Sequence, residues 1–185
     1  TLESLTRAIA GTEVDAVVFS DFRHGLFSRQ TIPTLIDAIP SGAFRVADSQ
    51  VASRWGNITE FQDFDLITPN EREARFSTGD QDSHIRPLAS HLYDATRCKT
   101  LMLKLGERGV LTCRNRDHYA IGDAIIIDSF ADTVLDPVGA GDALLAYATL
   151  SMLVKSDAVT ATILGSMAAA IECEKDGNIP VTPED

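Results

Sequence analysis

The sequence predicts an α/β fold: a three-layer arrangement in which a mostly parallel sheet carries helices on both faces and is extended by an antiparallel hairpin. Three observations predict it. Strand-like and helix-like runs alternate along the 185 residues. The strand-like runs are short unbroken apolar blocks, as in strands covered on both faces, rather than the half-polar alternation of a sheet that faces water. One pair, Val110 to Cys113 and His118 to Ile121, is separated only by Arg114 to Asp117, too short for a crossover helix and right for a hairpin.

The first strand is Val14 to Phe19 (VDAVVF), ended by the polar turn Ser20 to Gly25. A helix follows from Thr31, with Pro33 tolerated in its first turn and Leu35, Ile36 and Ile39 on its inner face. Phe44 to Ala47 is the second strand and Leu66 to Thr68 the third. A helix begins near Asn70, and another, around His84 to Thr96, is started or interrupted by Pro87. Leu101 to Leu105 (LMLKL) is a further buried strand leading into the hairpin. Ala143 to Val154 and Ala158 to Ile171 are apolar almost all round, which predicts internal helices, and Gly177 is placed to stop the second.

Composition sets the outer limits. With 44% hydrophobic and 23% charged residues the chain is of ordinary globular type, and its length suits one domain, 1–185, that needs neither disulfide nor metal to hold a core. The 27 acids against 16 bases leave a net charge of −11, which repels a nucleic-acid backbone. Cys98, Cys113 and Cys173 are odd in number and lie in no CxxC spacing, as expected of reduced thiols in a cytoplasmic protein without a zinc site. His24, His84, His91 and His118 are scattered and read as surface side chains. The longest apolar stretch, Ala143 to Val154, is well short of the roughly 20 residues a membrane span requires. The chain opens with Thr1 rather than Met, which suggests a fragment or a processed chain.

Chemistry concentrates in three segments. Asp136-Pro137-Val138-Gly139-Ala140-Gly141-Asp142 runs straight into an apolar helix. Gly139, Ala140 and Gly141 let the backbone turn tightly and present successive N–H groups at the positive end of the helix dipole, an anion cradle. Asp142 places a carboxylate in the first turn, able to accept a proton. A tight strand-to-helix turn with a stabilising first-turn acid would look the same. No GxxxxGK[ST] loop is present, so phosphate chemistry here would need this different glycine turn, and a cradle beside a carboxylate suits phosphoryl transfer to a hydroxyl.

Thr68-Pro69-Asn70-Glu71-Arg72-Glu73 sits at a strand end and opens a helix. Its Asn-x-x-Glu spacing is that of a reciprocal helix cap. Read as function, Asn70 addresses a phosphate and Glu73 holds a water of a Mg²⁺ shell. Lys104-Leu105-Gly106-Glu107-Arg108-Gly109 leaves a buried strand; Gly106 and Gly109 would let a ligand lie against the main chain, or simply turn it. Lys104 is a solvated cation or a partner for phosphate.

These segments, in the order Asn-x-x-Glu, Gly-x-x-Gly, Gly-Ala-Gly-Asp, each follow a strand end, where open parallel sheets bind ligands. In this they resemble the PfkB family of carbohydrate kinases, with its ribokinase-like fold, over nearly the whole chain. GAGD followed by Ala-Leu-Leu is similar to that family's C-terminal signature, and SDFRHG at Ser20 to Gly25, TPNEREA at Thr68 to Ala74, KLGERG and the AAAI stretch at Ala168 to Ile171 fall in the family's order. The resemblance implies Asp142 as catalytic base, the amides of Gly139, Ala140 and Gly141 as anion hole, and Asn70 and Glu73 acting on phosphate and hydrated Mg²⁺. It also implies nucleotide contacts from Lys104, Gly106 and Gly109, with Ser166, Met167 and Ala170 near the adenine.

The implied substrates are ATP and a small carbohydrate, with Mg²⁺ as cofactor, and the resemblance admits a homodimer. The wording SDFRHG and DLITPNERE leans to the heptose 7-phosphate kinase branch. A nucleoside kinase on the same fold and a non-catalytic nucleotide-binding or interaction module are the alternatives. Lys104 stands where many members carry Thr. Pro137 and Val138 also stand where Thr is frequent, which leaves a monovalent-cation site near Asp136 open. The family's Gly-Gly signature, most sugar contacts and small β-sheet lid precede the matched region, so this portion alone is expected to bind nucleotide without turnover.

Overall fold

Three strands of the first half run parallel: β1 (Ala16–Asp21), β2 (Phe44–Ser49) and β3 (Leu66–Ile67), with Val18 opposite Val46 and Val46 opposite Leu66. The computed structural model describes residues 1–50, 58–114, 124–154, 157–177, 179–182 and 184–185. They form two units, Thr1–Lys99 and Thr100–Asp185.

In the first unit β1 starts two residues later than the apolar block and runs on through Ser20 to Asp21, because the register with β2 continues to the Asp21 and Ser49 pair. Its core is aromatic. Phe19 from β1 meets Phe27 at 5.3 Å and Phe64 at 5.9 Å between ring centroids, and Phe61 meets Phe64 nearly edge-on at 5.6 Å, within the range where tilted ring pairs attract. α2 (Thr31–Asp37) buries Ile32 and Leu35, and Ile39 just beyond it is buried too, whereas Ile36 is only half-buried.

α3 (Glu71–Thr78) ends at Gly79 in the left-handed conformation, and α4 (Ile85–Thr96) runs uninterrupted because Pro87 falls within its first turn. One helix was not expected: α1 (Leu2–Ala10), whose N-terminus is capped by the Thr1 side chain accepting from the Ser4 amide at 3.2 Å.

The second unit opens with an antiparallel sheet. β4 (Thr100–Lys104) pairs with β5 (Val110–Arg114), Lys104 opposite Val110, and β5 pairs with β6 (Ile125–Ile127), Val110 opposite Ile127. The expected second arm of the hairpin, His118 to Ile121, lies outside the described residues.

α5 (Ala140–Leu153) and α6 (Ala158–Cys173) follow, joined by a short connection that makes them antiparallel neighbours. They touch closely at Gly165, where an added Cβ would lie 3.0 Å from the Leu144 carbonyl oxygen and 3.2 Å from the Ala148 Cβ. Neither helix is internal on every side. Leu144, Leu145 and Ala148 are buried on α5, and Ala161 and Ala168 on α6, but Leu150, Leu164 and Met167 are exposed. Gly177 does not cap α6, which ends at Cys173 with Glu174 as its C-cap. The left-handed turn at Gly177 comes later (φ +83).

Truncating the fully buried Phe61 to Ala removes the centre of the aromatic cluster and is expected to cost about 3–5 kcal/mol, read as a fall in the urea midpoint with unchanged slope.

Candidate active site

Two groups of the expected residues are placed by the structure, one in each unit. In the first unit the carboxyl ends of the parallel strands carry a polar cluster. Register puts the last residues of β1 and β2 side by side, so Ser49 Oγ donates to Asp21 Oδ2 at 3.0 Å. The Arg23 main-chain amide and its Nη1 also donate to Asp21, at 2.8 and 2.9 Å. Asp21 is 2% exposed, and Arg23 bends back to it through a left-handed backbone (φ 62), a conformation that non-glycine residues adopt rarely. Next along, Thr68 Oγ1 donates to Asp48 Oδ1 at 3.0 Å. Asp21 and Asp48 were not singled out as site residues, although Asp21 belongs to the SDFRHG segment; an acid closing an apolar strand is the signal that could have found it.

Asn70 and Glu73 form a reciprocal cap at the start of α3. The Glu73 amide donates to Asn70 Oδ1 at 2.8 Å, and the Asn70 amide donates to Glu73 Oε2 at 2.6 Å. Glu73 is 4% exposed. The spacing therefore does structural work at this helix start, and any action on phosphate or hydrated metal has to start from these committed oxygens.

In the second unit the Asp136 side chain accepts from the Val138 amide at 2.9 Å, closing a turn that brings the chain to Gly139. Gly139 adopts φ +93, open only to glycine at ordinary cost, and leads the chain into α5. The Ala143 amide closes the first helical bond, to the Gly139 carbonyl at 2.9 Å. The amides of Ala140, Gly141 and Asp142 are those of the first turn, which a helix cannot satisfy from within. Asp142 is exposed there.

Lys104, at the end of β4, reaches this turn: its Nζ lies 3.2 Å from where a Cβ on Gly141 would stand. The structure thus brings Lys104 together with the Gly139–Asp142 turn, two features far apart in sequence.

Gly106 and Gly109 differ from each other. A 3-10 turn, Gly106–Arg108, separates them, and Gly106 (φ +62) has open space where a side chain would go. At Gly109 (φ +79) a Cβ would fall 2.0 Å from the Ile127 carbonyl oxygen, so glycine is demanded there by the approach of β6. Ser166 and Ala170 are buried on α6, 6% and 7% exposed, while Met167 between them is 44% exposed, so these three do not share one face. Among the described residues no group of three His, Cys, Asp or Glu side chains is placed to hold a metal, and no helix is long and apolar enough to cross a membrane. His24, His84 and His91 are exposed as expected, and His118 lies outside the described residues.

With this geometry in place, the comparison with known families is decisive. The family model described as pfkB family carbohydrate kinase matches residues 12–185. The chain belongs to the pfkB family of carbohydrate kinases. Among curated proteins it is similar to the bifunctional protein HldE of Nitrobacter winogradskyi, 27% identical over 171 residues, covering 91% of this chain and 33% of that protein. HldE of Geobacter metallireducens is 29% identical over 178 residues, covering 94% and 34%. The chain spans about one third of the length of these relatives.

Among solved structures it resembles phosphofructokinase-2 from Escherichia coli in complex with potassium, with a TM-score of 0.82 at 17% identity over 99% of this chain and 59% of that one. It likewise resembles Arabidopsis thaliana ribokinase complexed with ribose and ATP, with a TM-score of 0.73 at 17% identity over 97% and 55%. At such identities the likeness shows the fold, which is the α/β ribokinase-like architecture expected from the sequence.

Replacing Asn70 with Ala in this pfkB family chain removes the acceptor of the α3 cap. It is expected to cost about 1 kcal/mol of stability in chemical denaturation.

Proposed function

We propose that this chain is the C-terminal, nucleotide-binding portion of a kinase that transfers the terminal phosphoryl group of ATP to a hydroxyl of a small sugar or sugar phosphate. The observation that carries this reading is the Gly139–Asp142 turn at the start of α5, with the Lys104 ammonium beside it, in a pfkB family chain. A phosphoryl group in transfer spreads negative charge over its equatorial oxygens. Fixed N–H donors aimed at that charge lower the barrier without any covalent step.

The amides of Gly139, Ala140 and Gly141 are assigned that task, supported by the left-handed Gly139 at the positive end of the helix, where the Ala140 amide also donates to the Pro137 carbonyl at 3.4 Å. Lys104 adds a full positive charge at the same turn. Asp142 is assigned as the base. An alcohol is far less acidic than a carboxylic acid, so the carboxylate takes the proton late, as the new O–P bond forms; its exposed first-turn position keeps it reachable.

Mg²⁺, when bound with ATP, neutralises charge on the phosphate oxygens. In this reading Glu73 holds it through water and Asn70 addresses a phosphate, both while capping α3. Gly106, Gly109, Ser166, Met167 and Ala170 are assigned to the nucleotide, Gly106 with the most room for it. A monovalent cation near Asp136 belongs to the same proposal, as do a homodimer and a heptose 7-phosphate-like acceptor, to which the HldE relatives lend support.

In the full-length protein Asp142→Asn is expected to lower kcat roughly 10² to 10⁴-fold while ATP affinity changes little; a variant with near-normal turnover removes Asp142 from the mechanism. The surface carries a net charge of −11, so ATP binding relies on local donors and Mg²⁺. Calorimetry is expected to show affinity falling sharply when Mg²⁺ is chelated, and equal affinities count against the pocket. Turnover on a panel of sugars, sugar phosphates and nucleosides separates a carbohydrate kinase from a nucleoside kinase, and binding without turnover on any of them points to a non-catalytic module.

A further inference from the structure

The side chain of Lys104 joins two stretches of the second unit that the sequence keeps far apart. Its root is held firmly. β4 pairs with β5 as far as Lys104, opposite Val110, and the next residue, Leu105, donates its amide to the Gly109 carbonyl at 2.8 Å. Gly109 is fixed in turn by β6, whose Ile127 carbonyl leaves no room for a Cβ there. From this anchored strand end the half-buried side chain extends to the start of α5.

The position of its tip can be stated more closely. Nζ lies 3.2 Å from where a Cβ on Gly141 would stand, so glycine at 141 leaves the space in which the ammonium sits. A Cβ on a helix tilts toward the N-terminus of that helix. The ammonium is therefore on the N-terminal side of the first turn of α5, the side to which the first-turn amides point. An anion that accepts from the Gly141 amide meets the Lys104 charge as well.

Other described cations of this unit are directed elsewhere. Lys175 is turned to Asp185 at 2.8 Å, Arg114 faces Asp157 at 3.9 Å, and Arg108 is exposed on the 3-10 turn. In a chain of net charge −11, which repels a polyphosphate at long range, one well-placed ammonium weighs heavily. The nucleotide is assigned to the turn at Gly106 and the phosphoryl group to the amides at Gly139–Gly141. Lys104 springs from beside the first and ends at the second. Its charge thus falls on the terminal phosphate rather than on the part of the nucleotide that remains after transfer.

We propose that Lys104 makes this site selective for a nucleoside triphosphate over the diphosphate. Its ammonium holds the terminal phosphate together with the Gly141 amide, a charge-assisted contact that the nucleotide loses when that group leaves. The diphosphate keeps only the contacts at the Gly106 end and departs more readily. Thr, which many family members carry here, has neither the reach nor the charge for this. The inference rests on the kinase reading and deepens it by stating how the same site tells substrate from product.

The test is calorimetric titration of the full-length protein, in Mg²⁺, with ADP and with adenylyl imidodiphosphate, a triphosphate whose terminal group is not transferred. Lys104→Met, similar in length and uncharged, is expected to bind the triphosphate roughly 10 to 100-fold more weakly than wild type and ADP within about twofold of it, the range for one hydrogen bond to a charged group. Equal losses for both nucleotides, or no loss for either, overturn the proposal. Should the variant fail to fold, acetylation of wild-type lysines by N-hydroxysuccinimidyl acetate, read by peptide mass, decides. Protection of Lys104 by the triphosphate and not by ADP supports the proposal, and equal protection by both, or by neither, overturns it. A wild type that binds neither nucleotide removes the kinase reading and this proposal with it, whereas equal losses in a protein that still phosphorylates a sugar sink only the role of Lys104.

Discussion

The second unit is organised by the contact at Gly165, where α6 comes so close to α5 that an added Cβ would lie 3.0 Å from the Leu144 carbonyl oxygen and its neighbours would have to give way. Small-residue contacts of this kind set how two helices lie and which of their ends come level. Here they bring the C-terminal end of α6 to the N-terminal end of α5. Two opposite partial charges then meet at one place: the positive amides of the glycine turn, and the carbonyls of the last turn of α6. A side chain at 165 that separated the helices would displace the turn as well, although nothing at 165 is near a reacting atom.

The first unit shows how much of a polar strand end is structural. Asp21 accepts from Ser49 and Arg23, Asp48 accepts from Thr68, and Asn70 with Glu73 closes the start of α3. Buried polar groups must be paired, and here they are paired mostly by side chains one strand away or three residues along. Such a cluster is rigid before any ligand arrives, which is what precise placement of donors requires. The left-handed Arg23 is the strained point in it, held by its double contact with Asp21.

Strands β1 to β5 were legible because each is a short, mostly apolar block, and α3, α4, α5 and α6 because punctuation and composition agreed with one another. What was not legible has identifiable causes. α1 has Leu2, Leu5 and Ile9 at helical spacing but buries no side chain fully, so its pattern is weak. β6 is three isoleucines long, and its pairing with β5 depends on a neighbour distant in sequence. The all-round apolar character of α5 and α6 overstated their burial, since composition does not say which flank is covered. At the candidate site the turn around Gly139 and the cap at Asn70 were readable from spacing alone. The approach of Lys104 to Gly141 was not, being a fact of three-dimensional proximity.

The outer margin of the parallel strands carries a further consequence. Among the described residues β1 pairs on one side only, with β2, and Val18 and Phe22 nearby are 44% and 45% exposed. An uncovered apolar edge with unpaired main-chain groups is a template for self-association between copies. Set against it is the acidity of the molecule, whose like-charged copies repel at low ionic strength. Colloidal behaviour of this chain is therefore a contest between a sticky margin and a repelling surface, and added salt tilts it toward clumping.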